Sequence, residues 1–364
     1  MVHSENFAPV KLYANRKLVG GRKDYSPLLF PFWGVSVSRS EPYLEAFFKR
    51  HGFDKKYYTL VPSPADADFV FVPINYWRLK QSDPGLLDAF VAESCRFNKP
   101  LLVAAYGDPM EDILIERSII LRLGHYRSRL KESDVIMPTY SEDLLESYCG
   151  GELRLLQKKE IPSVGFAGWA DLPFLKYPKT HLRDWGMRAW SLLSPKYEVF
   201  RKGVFWRIEA IKVLEETSGI KTNFIKRSSF SGHRQTMEID AETLRREFVQ
   251  NLLSSDYNLD VRGDANQSTR FCEMLSLGRI PLYLDTERVQ PLEHLIDYKK
   301  ICVWVDYREI DRIGEILLDF HRSVSPEEFA TRQKRAREVF EKYLRIDRFT
   351  KYLMSTLKEK VRSL

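Results

Sequence analysis

Arg270 and Glu273 stand three residues apart in a run, Thr269 to Leu277, whose spacing predicts a helix. One turn apart on such a helix, the two side chains point the same way. A guanidinium near a helix start suits a phosphate, which the free N–H groups near Ser268 and Thr269 and the positive end of the dipole also attract. A carboxylate slightly deeper suits a pair of ribose hydroxyls. The stretch Tyr257 to Asp285 surrounds this pair: a strand-like run leads into Arg262-Gly263-Asp264, a turn-rich Asp264 to Ser268 opens the helix, Gly278 stands where a C-cap belongs, and Ile280 to Leu284 is a buried strand. This strand, polar loop, helix, strand unit is expected to hold a sugar nucleotide. Two plainer readings stand beside that one. Arg270 and Glu273 would form a surface ion pair, and Arg262-Gly263 would be a structural turn.

Elements on either side must position these groups. Upstream, strand patterns at Lys11 to Ala14, Asp68 to Pro73, Pro100 to Ala105 and Asp134 to Met137 alternate with helical ones, and the loop after Asp68 to Pro73 carries Asn75, Tyr76 and Trp77. Such alternation predicts an α/β fold with a parallel sheet covered on both faces, in which ligands bind beyond the strand C-termini. Gly150 to Ile161 reads as an interdomain linker. A new strand at Ser163 to Ala167 ends on Gly168, where a ligand can approach the backbone closely. Residues 171–200, rich in aromatics, receive no element. Lys221 to Ile225 reads as a strand, and Arg227 and Arg234 flank a loop, Phe230 to Thr236, with His233 beside Arg234; either arginine would hold a pyrophosphate there. Two closing helices are expected at about Ile310 to Phe320 and Pro326 to Leu344.

A chain of 364 residues suits two domains of ordinary size. Four cysteines, Cys95, Cys149, Cys272 and Cys302, show no CxxC spacing, so neither a zinc site nor a disulfide framework is indicated. No stretch approaches the length of apolar sequence that a membrane-spanning helix requires, and a cytoplasmic location is expected. From Thr331 to Leu364 eleven Lys or Arg face four acids, an excess equal to the whole net charge of +7. The rest of the chain is neutral, which argues against a nucleic-acid partner. Aromatic and aliphatic residues interleave the basic tail, which either meets an anionic membrane surface or packs with a solvated charged face.

The run YNLDVRGDANQSTRFCEMLSLGRIPLYLD resembles the donor-side signature of exostosin-like glycosyltransferases (glycosyltransferase family 47 type), at Tyr257, Arg262-Gly263, Ser268, Arg270, Glu273 and Gly278-Arg279-Ile280-Pro281. Asp66 to Pro73, Ser133 to Pro138 and Val164 to Gly168 are similar to three further strands of that family, so the resemblance covers about residues 66–345. It implies a GT-B architecture: two Rossmann-like domains facing across a cleft, with residues 1–155 on the acceptor side, 156–335 on the nucleotide-sugar side, and a basic helical segment, 336–364, bridging back. It also implies inverting transfer of a sugar from a nucleoside-diphosphate sugar, UDP-linked before GDP-linked, to a glycan hydroxyl, with no essential metal. In that chemistry Arg270, the N–H groups near Ser268 and Thr269, and Arg262 offset the charge of the departing diphosphate. A base must take the acceptor proton. Asp108, after the strand Pro100 to Ala105, stands in the right kind of place, with Glu111, Asp112 and Asn75 as alternatives and an Asp-Pro turn as its plain reading. Trp33, Tyr76 and Trp77 would stack on sugar faces or simply pack. A non-catalytic sugar- or nucleotide-binding scaffold and a nucleotide-sugar epimerase are the competing functions.

Overall fold

The structure is a computed structural model that describes residues 8–37, 42–228 and 240–362. The chain divides into two compact units, one of Met1–Tyr140, Val289–Leu292 and Glu341–Leu364, the other of Ser141–Arg288 and Glu293–Phe340.

The first unit is built on six strands, β1 (Val10–Tyr13), β2 (Tyr58–Leu60), β3 (Phe69–Val72), β4 (Leu101–Ala105), β5 (Ser118–Arg122) and β6 (Asp134–Ile136). They run parallel in the order β2-β1-β3-β4-β5-β6. Parallel neighbours require crossovers, and helices such as Tyr76–Ser82 and Pro84–Arg96 supply them. Side chains start both: Asn75 accepts from Trp77 N at 3.0 Å and Asp83 from Leu86 N at 3.2 Å. Sheet and helices close over a core that includes Val70, Val72, Leu79, Phe90 and Leu101. Every residue of β3, β4 and β5 is buried, so β3 and β4 read as continuous apolar runs rather than alternating ones, and β5 does so only between Ser118 and Arg122.

The second unit holds β7 (Ser163–Trp169), β8 (Lys221–Arg227), β9 (Tyr257–Asp260), β10 (Ile280–Asp285) and β11 (Val303–Asp306), all parallel, in the order β8-β7-β9-β10-β11. Strand order reverses direction between β7 and β9, as it does between β1 and β3 in the first unit. Both units are therefore doubly wound α/β sheets with one topological switch point each. The helix Thr269–Ser276 closes with Gly278 at φ +63°, where Gly278 N donates to Leu275 O and Arg279 N to Met274 O at 2.9 Å. That is a Schellman stop, and it turns the chain straight into β10. The segment 150–161 lies inside this unit, where Leu156 N and O exchange hydrogen bonds with the Gln333 amide at 2.8 and 2.9 Å.

Several elements differ from the sequence expectation. β2 and β5 are additional strands. Residues 171–200, where the sequence predicts no element, contain a helix, Pro178–Leu193, and a 3-10 turn, Pro195–Phe200. The helix expected at 310–320 is a 3-10 segment, Tyr307–Arg312, followed by a helix, Ile313–Ser323. The last expected helix stops at Val339, passes through a π turn at Phe340–Leu344, and is followed by a further helix, Ile346–Val361, in the first unit. Phe349, Leu353 and Leu357 of that helix are buried, so its apolar stripe belongs to the core. No described helix is long and apolar enough to cross a membrane.

Candidate functional site

At the switch point of the second unit the carboxyl ends of β7 and β9 deliver Gly168-Trp169 and Asp260 to Gly263 to one place, and the helix carrying Arg270 starts just beyond. Ser268 precedes that helix, but its hydroxyl donates to Asp260 Oδ1 at 2.5 Å, so the helix begins without a side-chain cap. Thr269 is exposed at its first position.

Arg270 turns back over the sheet. Its Nη2 donates to the Ala167 carbonyl at 2.9 Å, and its guanidinium lies 4.5 Å from the centre of the Phe166 ring. A Cβ on residue 168 would fall 2.6 Å from Nη2, so the glycine makes room for the guanidinium. Arg207 lies in the same cluster, on the helix Gly203–Glu216. It donates to the Arg262 carbonyl at 2.8 Å and to the Trp169 carbonyl at 3.3 Å. Among the described residues neither Arg207 nor Arg270 has a carboxylate within ion-pair distance, and the Nε of each is buried without a hydrogen-bond partner. Burial first, then repulsion from Arg270, holds the Arg207 guanidinium down to about 9. Burial likewise lowers Arg270, against the pull of Asp260 and Glu273. A buried and a half-buried cation, each with an enclosed Nε, that meet carbonyls rather than carboxylates are an incomplete arrangement.

The nearby acids are committed elsewhere. Asp260 is fully buried and takes Arg288 Nη1 at 2.7 Å as well as the Ser268 hydroxyl. Glu273 is buried, and its Oε1 accepts from Arg245 Nη1 at 2.6 Å; Arg245 also reaches Glu142 at 3.1 Å. Arg270 and Glu273 thus share a helix face without forming the i,i+3 pair, and Glu273 Oε2 accepts no hydrogen bond among the described residues. Asp264 is exposed and lies 3.3 Å from Lys202.

The remaining sequence candidates fall in two groups. Arg262 is almost wholly buried and its Nη2 donates to the carbonyls of Val199, at 3.1 Å, and Arg201. It ties the turn at 195–200 to the sheet, which is the structural-turn alternative rather than a guanidinium presented to a ligand. At Gly263 an added Cβ would meet only ordinary contacts at 3.8 Å, whereas at Gly203 it would strike Gly263 O at 2.0 Å. The close backbone approach therefore falls to Gly203. Arg227 is buried at the end of β8, paired to Glu247 at 2.8 Å, and its carbonyl accepts the N–H groups of Ala170 and Asp171 at 3.0 Å; it braces the loop after β7. Arg234 and His233 lie outside the described residues.

In the first unit Asp108 is exposed in the loop after β4. Of the alternatives to it, Asp112 pairs with Lys131 at 3.0 Å, Glu111 lends its carbonyl to Arg122, and Asn75 bonds the Tyr106 carbonyl at 2.5 Å while starting a helix. Trp33 packs edge-on to Tyr25, and Trp77 edge-on to Tyr76.

Arg207, Arg245, Asp260 and Arg288 were not among the sequence candidates. Arg207 carries the one usable signal, a cation in the otherwise apolar run Gly203-Val-Phe-Trp-Arg-Ile; the other three partner residues far away in sequence.

No family model matches the chain, and no curated protein does. Among solved structures, a glycosyltransferase from Rickettsia africae is similar with a TM-score of 0.41 at 8% identity, over 98% of this chain and all of that one. A likeness so distant carries no argument about function.

Proposed function

We propose that the chain is a glycosyltransferase of GT-B type that binds a nucleoside-diphosphate sugar at the β7/β9 switch point. One observation carries the reading: Arg207, buried, and Arg270, half-buried, stand there together with no carboxylate partner among the described residues, beside a glycine that clears the space. A diphosphate supplies the missing counter-charge and accepts from several guanidinium N–H groups at once. Parallel doubly wound sheets bind ligands at this kind of crevice. The order of motifs shared with exostosin-like enzymes adds the sugar and the transfer.

In this reading Arg270, with Arg207 beneath it, stabilises the departing diphosphate, and the uncapped N–H groups at Thr269 and Arg270 add to that field. Glu273, steadied by Arg245, offers its second oxygen to the ribose hydroxyls. The transfer inverts the anomeric centre and uses no metal, with UDP favoured over GDP. Asp108 takes the proton of the acceptor hydroxyl of a glycan.

Calorimetry of the purified chain with UDP, GDP and CMP tests the donor half. UDP binding that weakens about tenfold or more in Arg270→Ala is expected, by the loss of a charge-assisted contact. No binding by any of the three, or binding indifferent to Arg270, would sink it. For the transfer half, Asp108→Asn should keep UDP affinity and lose turnover. A variant that retains turnover removes Asp108 from the mechanism.

A further inference from the structure

The helix Pro178–Leu193 is turned inside out. Leu182, Trp185, Ala189 and Leu193 recur every three or four residues and so share one face, with Trp190 and Leu192 on its flanks. This apolar face is the exposed one: Trp185 and Trp190 are 55% and 58% exposed, Leu192 and Leu193 86% and 85%. The polar face meets the unit instead. Asp184 is buried and accepts from Arg201 Nε at 3.0 Å and Arg188 Nε at 3.2 Å. Glu209 completes the anchor, accepting from Arg201 at 3.0 Å and Arg188 at 2.9 Å. A helix that merely covers a sheet buries its apolar stripe. Here an ion-pair network fixes the helix so that the stripe faces outward. Just ahead of the helix, Phe174 stacks on Trp185 with centroids 5.6 Å apart, and Leu175 is 94% exposed, so the patch is continuous.

Charge decides what covers it. Lys176, Lys179, Arg183 and Lys196 are exposed around the patch and form no ion pair among the described residues, while the one acid from 174 to 197, Asp184, is buried. A second copy set face to face would bring these cations against themselves. Tryptophan and leucine ringed by unpaired lysine and arginine suit the headgroup region of an anionic bilayer, where the rings sit at the interface and the cations meet lipid phosphates.

We propose that residues 174–196 are a membrane-docking face that lays the second unit on an anionic lipid surface. The segment leaves the carboxyl end of β7, the same edge of the sheet that carries Arg207 and Arg270. The basic Ile346–Val361 helix is not the apolar anchor, because its stripe is already buried. The face is read from the helix alone and stands whether or not the switch point binds nucleotide.

Sedimentation of the full chain with phosphatidylcholine vesicles, with and without phosphatidylglycerol, tests this. Binding to the anionic vesicles with a blue shift of tryptophan emission is expected, falling as salt rises. Trp185→Ser with Leu193→Ser should weaken it at least about tenfold, and Lys179→Glu with Arg183→Glu should do likewise. All four side chains are exposed, and circular dichroism checks that the fold is kept. Arg348→Glu with Lys351→Glu, in the basic tail, should leave vesicle binding unchanged. The proposal is overturned if the anionic vesicles bind nothing, if only the tail variant releases the protein, or if Leu193→Ser instead abolishes a concentration-dependent dimer seen without lipid.

Discussion

Arg270 and Gly168 fit each other across the switch point: the guanidinium Nη2 stands 2.6 Å from where any other residue at 168 would place its Cβ. The same nitrogen rests on the Ala167 carbonyl, so the arginine is aimed by the backbone of β7 rather than by a carboxylate. Gly168→Ala is therefore expected to push the guanidinium aside. Because the clash is with the end of a side chain, stability should fall by only about 1–2 kcal/mol, part of it from the positive φ. UDP affinity should fall about tenfold. Calorimetry and urea denaturation on one preparation check both. Unchanged affinity in a variant that folds would show that Arg270 does not set the anion position.

Arg207 gives the site a pH dependence of its own. An arginine that is held to about 9 in the fold, well below its ordinary value, loses its proton in the folded protein first. Its contribution to stability is present above the ordinary arginine range and lost as pH falls through about 9, where the buried charge forms against burial and against Arg270. A bound diphosphate reverses that balance, because it favours the charged form. UDP affinity should accordingly drop as pH rises from 8 to 10, by up to about tenfold per unit, with proton uptake on binding near pH 9. Arg207→Met should bind more weakly and show a flat profile. A wild-type profile as flat as that of the variant would refute the coupling.

Much of the fold follows from local pattern. The Thr269–Ser276 helix, its glycine stop and β10 come from capping chemistry and a buried run, and those signals are contained in residues 269–285. Arg270 and Glu273 sharing a face follows from helix periodicity alone. What periodicity cannot give is the partner. Glu273 meets Arg245 from another helix, Arg262 is buried under the carbonyls of Val199 and Arg201, and Asp260 is matched by Arg288, 28 residues on. Each pairing depends on which strands become neighbours, and no local spacing encodes that. The helix Pro178–Leu193 was obscure for the opposite reason. Its apolar stripe faces solvent and its polar face is buried, so the rule that apolar faces mark the core does not apply to it.

Gly203 should be the least replaceable glycine near the site. A Cβ there would lie 2.0 Å from Gly263 O and 2.6 Å from Arg262 O, both backbone atoms with no rotamer to change. Gly203→Ala must separate the helix Gly203–Glu216 from the turn after β9, at about 2–4 kcal/mol. Gly263→Ala meets nothing closer than 3.8 Å and should cost about 1 kcal/mol or less. Chemical denaturation of the two variants side by side tests the contrast. Equal losses would mean that the backbones do not approach as described.

The buried Asp260–Arg288 pair should behave as one unit. Arg288 also donates to the Asp260 and Leu284 carbonyls at 3.3 and 3.0 Å and lies over the Tyr283 ring, so its position is fixed from several sides. Arg288→Met leaves a buried carboxylate that keeps the Ser268 hydroxyl but loses its guanidinium, and Asp260→Asn takes from a buried guanidinium the carboxylate it donates to. Each single change should cost about 3–5 kcal/mol, because an uncompensated buried charge is what makes breaking such a pair expensive. Combining them removes both charges, so the double variant should be destabilised by clearly less than the sum of the two. A double-mutant cycle in urea reads the difference directly, and a coupling below about 0.5 kcal/mol would show that the two groups are independent. The cycle also separates framework from site. Asp260→Asn weakens the hold on the Ser268 hydroxyl, because an amide oxygen is a poorer acceptor than a carboxylate, and a hydroxyl that turns toward the helix start would cap the N–H groups assigned to the diphosphate. UDP affinity should therefore fall in Asp260→Asn even under conditions where the variant remains fully folded, and should respond less to Arg288→Met, which leaves the Ser268 to Asp260 hydrogen bond in place.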